Sequence, residues 1–258
     1  MKTFHKKFFF VDVILPNYNK FYFLEDAIKS VINQTYKNWQ LYIVDDCSTD
    51  DSWTIIKNFS SLPNIKTIRL NKNMGPSFCR NYAIRISKSK YISFIDSDDT
   101  WENVKLEKQI NFMEKSNLDF TYTDYTPFFE KKGKKIFKHK TCLKDTFDFN
   151  AFTKNSSINT TTMIIRRSIL GTLKFKKTKL MEDYLFKCML LKKNNIAKKI
   201  NENLATYRIL NESRSSKRLK NIFWLWNINK NYNKLNFFKN IMSIICISIN
   251  SIKKYGFK

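Results

Sequence analysis

The feature that most constrains this fold is a regular alternation of strand-like and helix-like segments over the first hundred residues. Short apolar, β-branched runs predict strands, and longer runs with apolar residues at helical spacing predict the helices between them. The predicted order is strand 9–15, helix 22–34, strand 39–44, helix 52–59, strand 65–70, helix 78–87 and strand 91–95. Such alternation predicts an α/β fold, Rossmann-like, with a mostly parallel sheet and helices on both faces.

Polar segments follow three of these predicted strands, at the point where each strand ends. They cover residues 16–19, 45–50 and 96–99. Parallel strands bring their carboxyl ends to one edge of the sheet, and ligands of such folds bind beyond that edge. We therefore expect the three segments to lie together and to form the functional site.

The segment Asp96-Ser97-Asp98-Asp99 places three carboxylates within four residues. Their repulsion favours a neutralising cation, and Mg²⁺ or Mn²⁺ bound here would keep positions open for phosphate oxygens. The alternatives are a solvated turn, or a helix N-cap that Asp99 would supply to a helix over residues 101–113. In the other acidic turn, the Asp46 carboxylate can accept hydrogen bonds from a base edge or a ribose hydroxyl. Capping is the alternative there as well.

Scarce glycine and histidine argue against several common site types. The chain has four glycines and two histidines, and it contains neither GxGxxG nor GxxxxGK[ST]. The glycine-rich phosphate cradles are therefore missing, and histidine triads and HExxH zinc sites are disfavoured. Any catalysis therefore falls to carboxylates.

Five scattered cysteines without a CxxC pair argue against a disulfide framework or a zinc site, and they indicate a reducing cytosol.

Several short motifs together resemble family 2 glycosyltransferases of the GT-A fold. They are VILPNYN (13–19), INQTY (32–36), VDDCSTD (44–50), NMG (73–75) with RN (80–81), FIDSDD (94–99) and ED (182–183). Their order and spacing match over residues 9–210. The resemblance implies an inverting hexosyl or N-acetylhexosaminyl transfer from a nucleoside-diphosphate sugar, typically a UDP-sugar. The implied acceptor is a hydroxyl of a bacterial surface glycan or glycolipid, as in lipopolysaccharide or capsule synthesis.

The same resemblance implies roles for individual residues. Asp98 would ligate Mn²⁺ or Mg²⁺, and Asp183 would be the general base, with the adjacent Glu182 as the alternative. The implied donor-binding residues are Pro16, Tyr18, Asp46, Asn73, Arg80, Asp96, Ser97 and Arg208. Leu210 stands where the family commonly has a histidine, which argues against a phosphate or metal contact from that position.

The rest of the chain shows a less regular alternation of predicted strands and helices. We expect a hairpin over residues 120–138 with Gly133 in its turn, a strand over 159–165, and an apolar helix that Met181-Glu182-Asp183 opens and that runs through Leu191. We expect a GT-A domain over residues 1–212, divided near residue 100 into a nucleotide-sugar half and an acceptor half. From residue 213 to the end there are ten basic residues and no acidic one, which predicts a basic amphipathic helical tail over 213–258.

The charge balance bears on partners and location. With 47 basic and 22 acidic residues, the net charge is +25. This favours an anionic partner, although a lysine-rich genome is the alternative. The tail predicts peripheral binding to the inner, cytoplasmic face of an anionic membrane, with packing on the domain as the alternative. Asp12 interrupts the N-terminal apolar run, and the apolar run 241–249 is short, so neither a signal peptide nor a membrane-spanning helix is predicted.

Two other function classes fit part of the pattern. A nucleic-acid-binding protein suits the charge and the 16% aromatic content, but the acidic strand ends would repel phosphates, so no nucleic-acid partner is expected. A metal-dependent nucleotidyltransferase or phosphohydrolase would share the carboxylates and the fold class. It would release phosphate or pyrophosphate instead of a nucleoside diphosphate.

Overall fold

The computed structural model describes residues 10–131, 134–210 and 218–255. Its strands are β1 (Val11–Asn17), β2 (Trp39–Asp45), β3 (Ile65–Arg69), β4 (Tyr91–Phe94), β5 (Thr100–Trp101), β6 (Phe120–Lys131), β7 (Lys134–Phe137), β8 (Thr146–Phe147), β9 (Ile164–Arg166) and β10 (Ala197–Arg208). Its α-helices are α1 (Phe21–Ile32), α2 (Ser52–Asn58), α3 (Pro76–Ile86), α4 (Lys105–Lys115), α5 (Phe149–Thr153), α6 (Arg167–Leu170), α7 (Glu182–Leu191), α8 (Arg218–Asn231) and α9 (Phe237–Tyr255). A 3-10 helix covers Thr160–Thr162.

The first half of the chain has the predicted alternation of strands and helices. The strands β3, β2, β1 and β4 lie side by side in that order and are all parallel. Every residue of β1 and β4 is buried. This burial explains why these strands appear as continuous apolar runs, because a parallel sheet is covered on both faces. The α/β fold class is therefore confirmed.

The second half extends the same sheet with mixed strand directions. The strand β9 runs antiparallel to both of its neighbours, β4 and β6. Beyond it β6 and β10 pair in parallel, with register shifts between Ile200 and Asn203 and between Asn203 and Thr206. The predicted hairpin is present as β6 and β7, while Gly133 lies outside the described residues.

Two predicted elements were wrong. Asp99 does not cap a helix over 101–113, because residues 100–101 form β5 against β10 and α4 begins only at Lys105. The predicted strand over 159–165 is instead the 3-10 helix followed by the short β9. The side chain of Asn159 accepts a hydrogen bond from the Thr161 amide at 2.9 Å. This local bond competes with an extended conformation despite the β-branched side chains.

Residues 218–231 and 237–255 of the basic segment form the helices α8 and α9, and both helices pack on the rest of the described chain. Leu225 and Ile228 of α8 are buried in the main core. The Tyr184 hydroxyl of α7 donates to the Asn229 side chain of α8 at 2.8 Å, and the Ser243 hydroxyl of α9 donates to the Thr153 carbonyl at the end of α5. Across the described ranges, no helix combines the length and the apolar character that crossing a bilayer requires.

Candidate functional site

The polar segments that follow β1, β2 and β4 lie together at one edge of the sheet. In the parallel register Asn17 is opposite Asp45, and its side-chain amide donates to the Asp45 carboxylate at 2.8 Å. The Ser48 hydroxyl donates to the same carboxylate at 2.5 Å. Because Asp45 is fully buried, it anchors this edge and holds the turn after β2.

The Asp46 carboxylate holds the loop that precedes α3. One of its oxygens accepts from the Met74 amide at 2.7 Å, and the other accepts from the Gly75 amide at 2.8 Å. Gly75 has φ of 87°, a conformation that side chains rarely adopt. Each oxygen of the Asp46 carboxylate can still accept a further hydrogen bond.

The predicted donor-pocket residues Tyr18 and Asn73 are exposed, whereas Pro16 is buried in β1.

The side chains of the Asp96–Asp99 segment diverge. Asp96 and Asp98 are partly exposed, and each pairs with a separate cation. Asp99 is fully buried: it accepts from the Thr161 hydroxyl and from the Arg208 amide at 3.0 Å. The three carboxylates therefore do not surround one ion, and the metal cluster inferred from the sequence reduces to Asp96 and Asp98 on the open side. Ser97 is buried between them.

Asp98 carries a charge that its surroundings do not fully compensate. Its carboxylate contacts the Lys20 ammonium at 2.8 Å. Burial, together with the charge of Asp96, nonetheless raises the pKa of Asp98 against the effect of Lys20. Burial also raises the pKa of Asp99 well above its usual range, with Asp98 and Asp96 adding to the effect. An additional cation at this edge would therefore be favourable.

Asp96 and Asp98 fit a divalent metal ion that takes only part of its ligands from the protein. Within the described part of the chain, no group of three or more His, Cys, Asp or Glu side chains forms a complete metal cage. One or two carboxylates, completed by waters and phosphate oxygens, are the usual protein contribution for Mg²⁺. Asp98 and Asp96 can supply this contribution, and the raised pKa of Asp98 is the property that a nearby cation would relieve.

Arg80 connects the acidic edge to the start of α7. Its guanidinium is buried and donates to Asp96 at 2.6 Å, and it lies over the Phe175 ring at 5.3 Å. Burial alone would lower the pKa of Arg80, but the charges of Asp96, Glu182 and Asp183 outweigh it and raise the pKa. Arg80 therefore stays cationic between the two acidic groups.

Asp183 lies in the first turn of α7, next to the left-handed residue Met181 (φ 63°). Its side chain is 42% exposed, whereas the neighbouring Glu182 is 7% exposed. The Lys187 ammonium, one helical turn on, contacts the Asp183 carboxylate at 2.9 Å. Although burial would raise the pKa of Asp183, Lys187 and Arg80 lower it to about 2. Asp183 is therefore an accessible carboxylate that stays ionised at neutral pH.

Arg208 is held within the protein. Its guanidinium lies between the rings of Phe23, at 4.1 Å, and Phe128, at 4.5 Å. It donates to the Asp98 carbonyl at 3.1 Å and pairs with Glu130. The role of Arg208 at a donor diphosphate stays a prediction.

Sequence reasoning missed three side chains that shape the site. Lys187 had a local signal, since a lysine four residues after an aspartate on a helix faces it. Lys20 and Thr161 had none. They lie 78 and 62 residues from their partners Asp98 and Asp99, and only the fold brings them together.

Comparisons with known proteins agree on one family. Residues 12–174 match the model of glycosyl transferase family 2. The chain is 32% identical to the putative teichuronic acid biosynthesis glycosyltransferase TuaG of Bacillus subtilis, over 95% of this chain and 96% of that protein. It is 32% identical to the UDP-Glc:alpha-D-GlcNAc-diphosphoundecaprenol beta-1,3-glucosyltransferase WfgD of Escherichia coli, over 85% of each. The structure of S. aureus TarS in complex with UDP-GlcNAc has the same fold, with a TM-score of 0.71 and 19% identity, over 95% of this chain and 73% of that one.

Proposed function

This chain belongs to glycosyl transferase family 2 and is a glycosyltransferase, and from that premise we propose that it is an inverting enzyme that uses a UDP-sugar. The proposed reaction joins the anomeric carbon of the donor sugar to an acceptor hydroxyl and releases a nucleoside diphosphate. The acceptor that we propose is a glycan or glycolipid intermediate of surface-polysaccharide synthesis, since relatives such as TuaG and WfgD carry such names.

The observation that carries the proposal is the linkage of two acidic groups through Arg80. Asp96 at the sheet edge pairs with Arg80, and the charge of Asp183 acts on the same guanidinium. Asp96 on the donor side and the accessible Asp183 of α7 therefore both interact with one buried cation. This arrangement suits a reaction in which a diphosphate departs on one side and a hydroxyl loses its proton on the other.

The proposed donor site lies at the edge formed by β1, β2 and β4. The exposed Tyr18 and Asn73 would flank the base and ribose, with Asp46 accepting hydrogen bonds from the nucleoside. Asp98, with Asp96, would hold Mn²⁺ or Mg²⁺, which when bound supplies positive charge for the diphosphate oxygens. Arg80 adds a fixed cation, because it stays protonated beside Asp96.

Asp183 is the proposed general base. As the acceptor oxygen bonds to the anomeric carbon, its proton passes to the Asp183 carboxylate and the bond to the diphosphate breaks with its electron pair. Attack opposite the leaving group inverts the anomeric configuration. The exposure of Asp183, against the burial of Glu182, supports Asp183 over its neighbour. Lys187 contacts the same carboxylate and keeps it ionised before the acceptor arrives.

A panel of sugar nucleotides tests the proposal. The purified chain is incubated with each donor and Mn²⁺, and nucleoside diphosphate released by slow donor hydrolysis is measured. We expect release from one or a few UDP-sugars and suppression by a chelator. With an acceptor in hand, NMR of the product gives the anomeric configuration. Release of free phosphate or pyrophosphate, or retention of configuration, would contradict the proposal.

A further inference from the structure

The helix α9 packs on the protein with polar residues. Asn240 and Ser243 are each 1% exposed. The Asn240 amide donates to the Trp226 carbonyl at 3.2 Å. The Ser243 hydroxyl accepts from the Asn229 amide at 2.8 Å and donates to the Thr153 carbonyl. Ile244 and Ile247 pack against the hydrophobic core beside them, so the inner face of α9 combines apolar and polar contacts.

The outer face of α9 carries large apolar side chains. Phe238 is 77% exposed, Met242 is 49% exposed, and Ile245 and Ile249 are 47% exposed each. Their spacing of four, three and four residues places them on one face of the helix. We call these four residues the α9 stripe. Phe237, beside the stripe, is 62% exposed and touches the Phe238 ring at 5.8 Å. A row of this size exposed to water would be unusual for a helix without a partner.

The surroundings of the stripe are basic. Lys230 and Lys234 precede α9, and Lys239 and Lys253 lie on it; all four side chains are exposed. No acidic residue occurs from residue 213 to the C-terminus. Apolar side chains beside lysines, with no acidic residue on α8 or α9, are the chemistry that binds the interface of a bilayer containing anionic lipids.

We propose that the α9 stripe and these lysines form a docking surface for an anionic membrane, on which α9 lies in the plane of the interface. A second copy of the chain fits the surface less well. A two-fold dimer through this face would set the lysines of one copy against those of the other, with no carboxylate on α8 or α9 to neutralise them. An anionic bilayer satisfies both the apolar and the basic groups. The proposal stands apart from the proposed reaction and does not depend on it.

Vesicle sedimentation with the full chain tests the surface. Removal of the whole tail is unsuitable, because Leu225 and Ile228 of α8 belong to the core. Vesicles of phosphatidylcholine with about a third phosphatidylglycerol are compared with vesicles of phosphatidylcholine alone. We expect strong sedimentation only with the anionic vesicles, weakened by salt because charge attraction is screened.

Two variants separate the apolar and the basic contributions. Changing all four stripe residues to glutamine should lower the partition coefficient by at least about 10²-fold, because the apolar burial is lost. Changing Lys234, Lys239 and Lys253 to glutamine should lower it by about five-fold per lysine, roughly 10²-fold in total. The matched control is Ile136→Gln with Phe137→Gln, an exposed apolar pair on β7, which should bind as the unchanged chain does.

Three results would overturn the proposal. The first is equal sedimentation of the stripe variant and the unchanged chain. The second is equal binding to neutral and anionic vesicles by the unchanged chain. The third is a concentration-dependent dimer, seen by analytical ultracentrifugation without lipid, that the stripe variant abolishes; this would assign the surface to a second copy. The lysine variant keeps the test decisive if the stripe variant does not fold.

Discussion

Replacing Lys187 by methionine tests the electrostatics of the proposed base. The pKa of Asp183 is about 2, against an ordinary value of 3.8. Burial works in the opposite direction, so the contact with Lys187 at 2.9 Å, aided by Arg80, produces the decrease. A decrease of this size corresponds to about 2.5 kcal/mol. Because 42% of the Asp183 side chain is exposed, solvent screening reduces this to about half.

We therefore expect Lys187→Met to raise the pKa of Asp183 by about one pH unit. A carboxylate with a lowered pKa stabilises the fold above the unfolded-state pKa, near pH 4, and this stability is lost as the pH falls through about 2. The variant should lose that contribution at a higher pH. At pH 7 Asp183 is ionised in both proteins, so donor affinity should be unchanged.

The assay follows the ¹³C carboxyl titration of Asp183, identified by its absence in Asp183→Asn, together with donor hydrolysis, over a pH range from below 2 up to 8, because both midpoints lie at or below about pH 3. We expect the acid limb of kcat/KM and the NMR midpoint to move upward together. The exposed Lys193, just beyond α7, provides the control Lys193→Met, which should move neither. The reasoning fails if both midpoints stay in place in Lys187→Met, or if they move equally in the control.

Three further predictions concern the site and its anchor. Asp183→Asn should lower transfer by about 10²–10⁴-fold with little change in donor affinity, while Glu182→Gln retains most activity; the opposite pattern in the two variants would move the base to Glu182. Asp98→Ala should abolish transfer and weaken Mn²⁺ binding in calorimetry, whereas retained activity that a chelator still suppresses would place the metal elsewhere. Asp45→Ala should lower the free energy of unfolding in urea by about 1–3 kcal/mol, because Asn17 loses its buried partner; an unchanged midpoint would mean that Asp45 does not anchor the edge.

The first hundred residues of the fold were predictable because their signals are local. Each buried parallel strand is a short apolar run, and each helix between them repeats its apolar positions at helical spacing. The parallel register then places Asn17 opposite Asp45, so the sheet edge follows from the strand order alone. The observed bounds lie within two residues of the predicted ones, as for α1 (Phe21–Ile32) against 22–34.

The remaining features depend on contacts that no local pattern carries. The threonines at 160–162 have strand propensity, but Asn159 caps them locally and Thr161 turns its hydroxyl to the buried Asp99. The sequence likewise predicted an amphipathic tail without indicating which face packs inwards. The burial of Ser243 depends on partners in α5 and α8, while Ile244 and Ile247 pack on the core and a second apolar row stays exposed.

Met181 has a left-handed conformation just before α7, and this conformation affects how the enzyme can adapt to higher temperature. A side chain in this conformation costs about 1–2 kcal/mol relative to glycine, and the cost lies two residues before the proposed base. Replacement of Met181 by glycine would release this strain, but it would also remove the packing of the Met181 side chain against the hydrophobic core. The same change would make the backbone before Asp183 more flexible. We therefore expect any heat resistance gained at this position to come with slower turnover. In a lineage that adapts to a warmer habitat, we therefore expect the first substitutions that raise thermal stability at other positions of the chain.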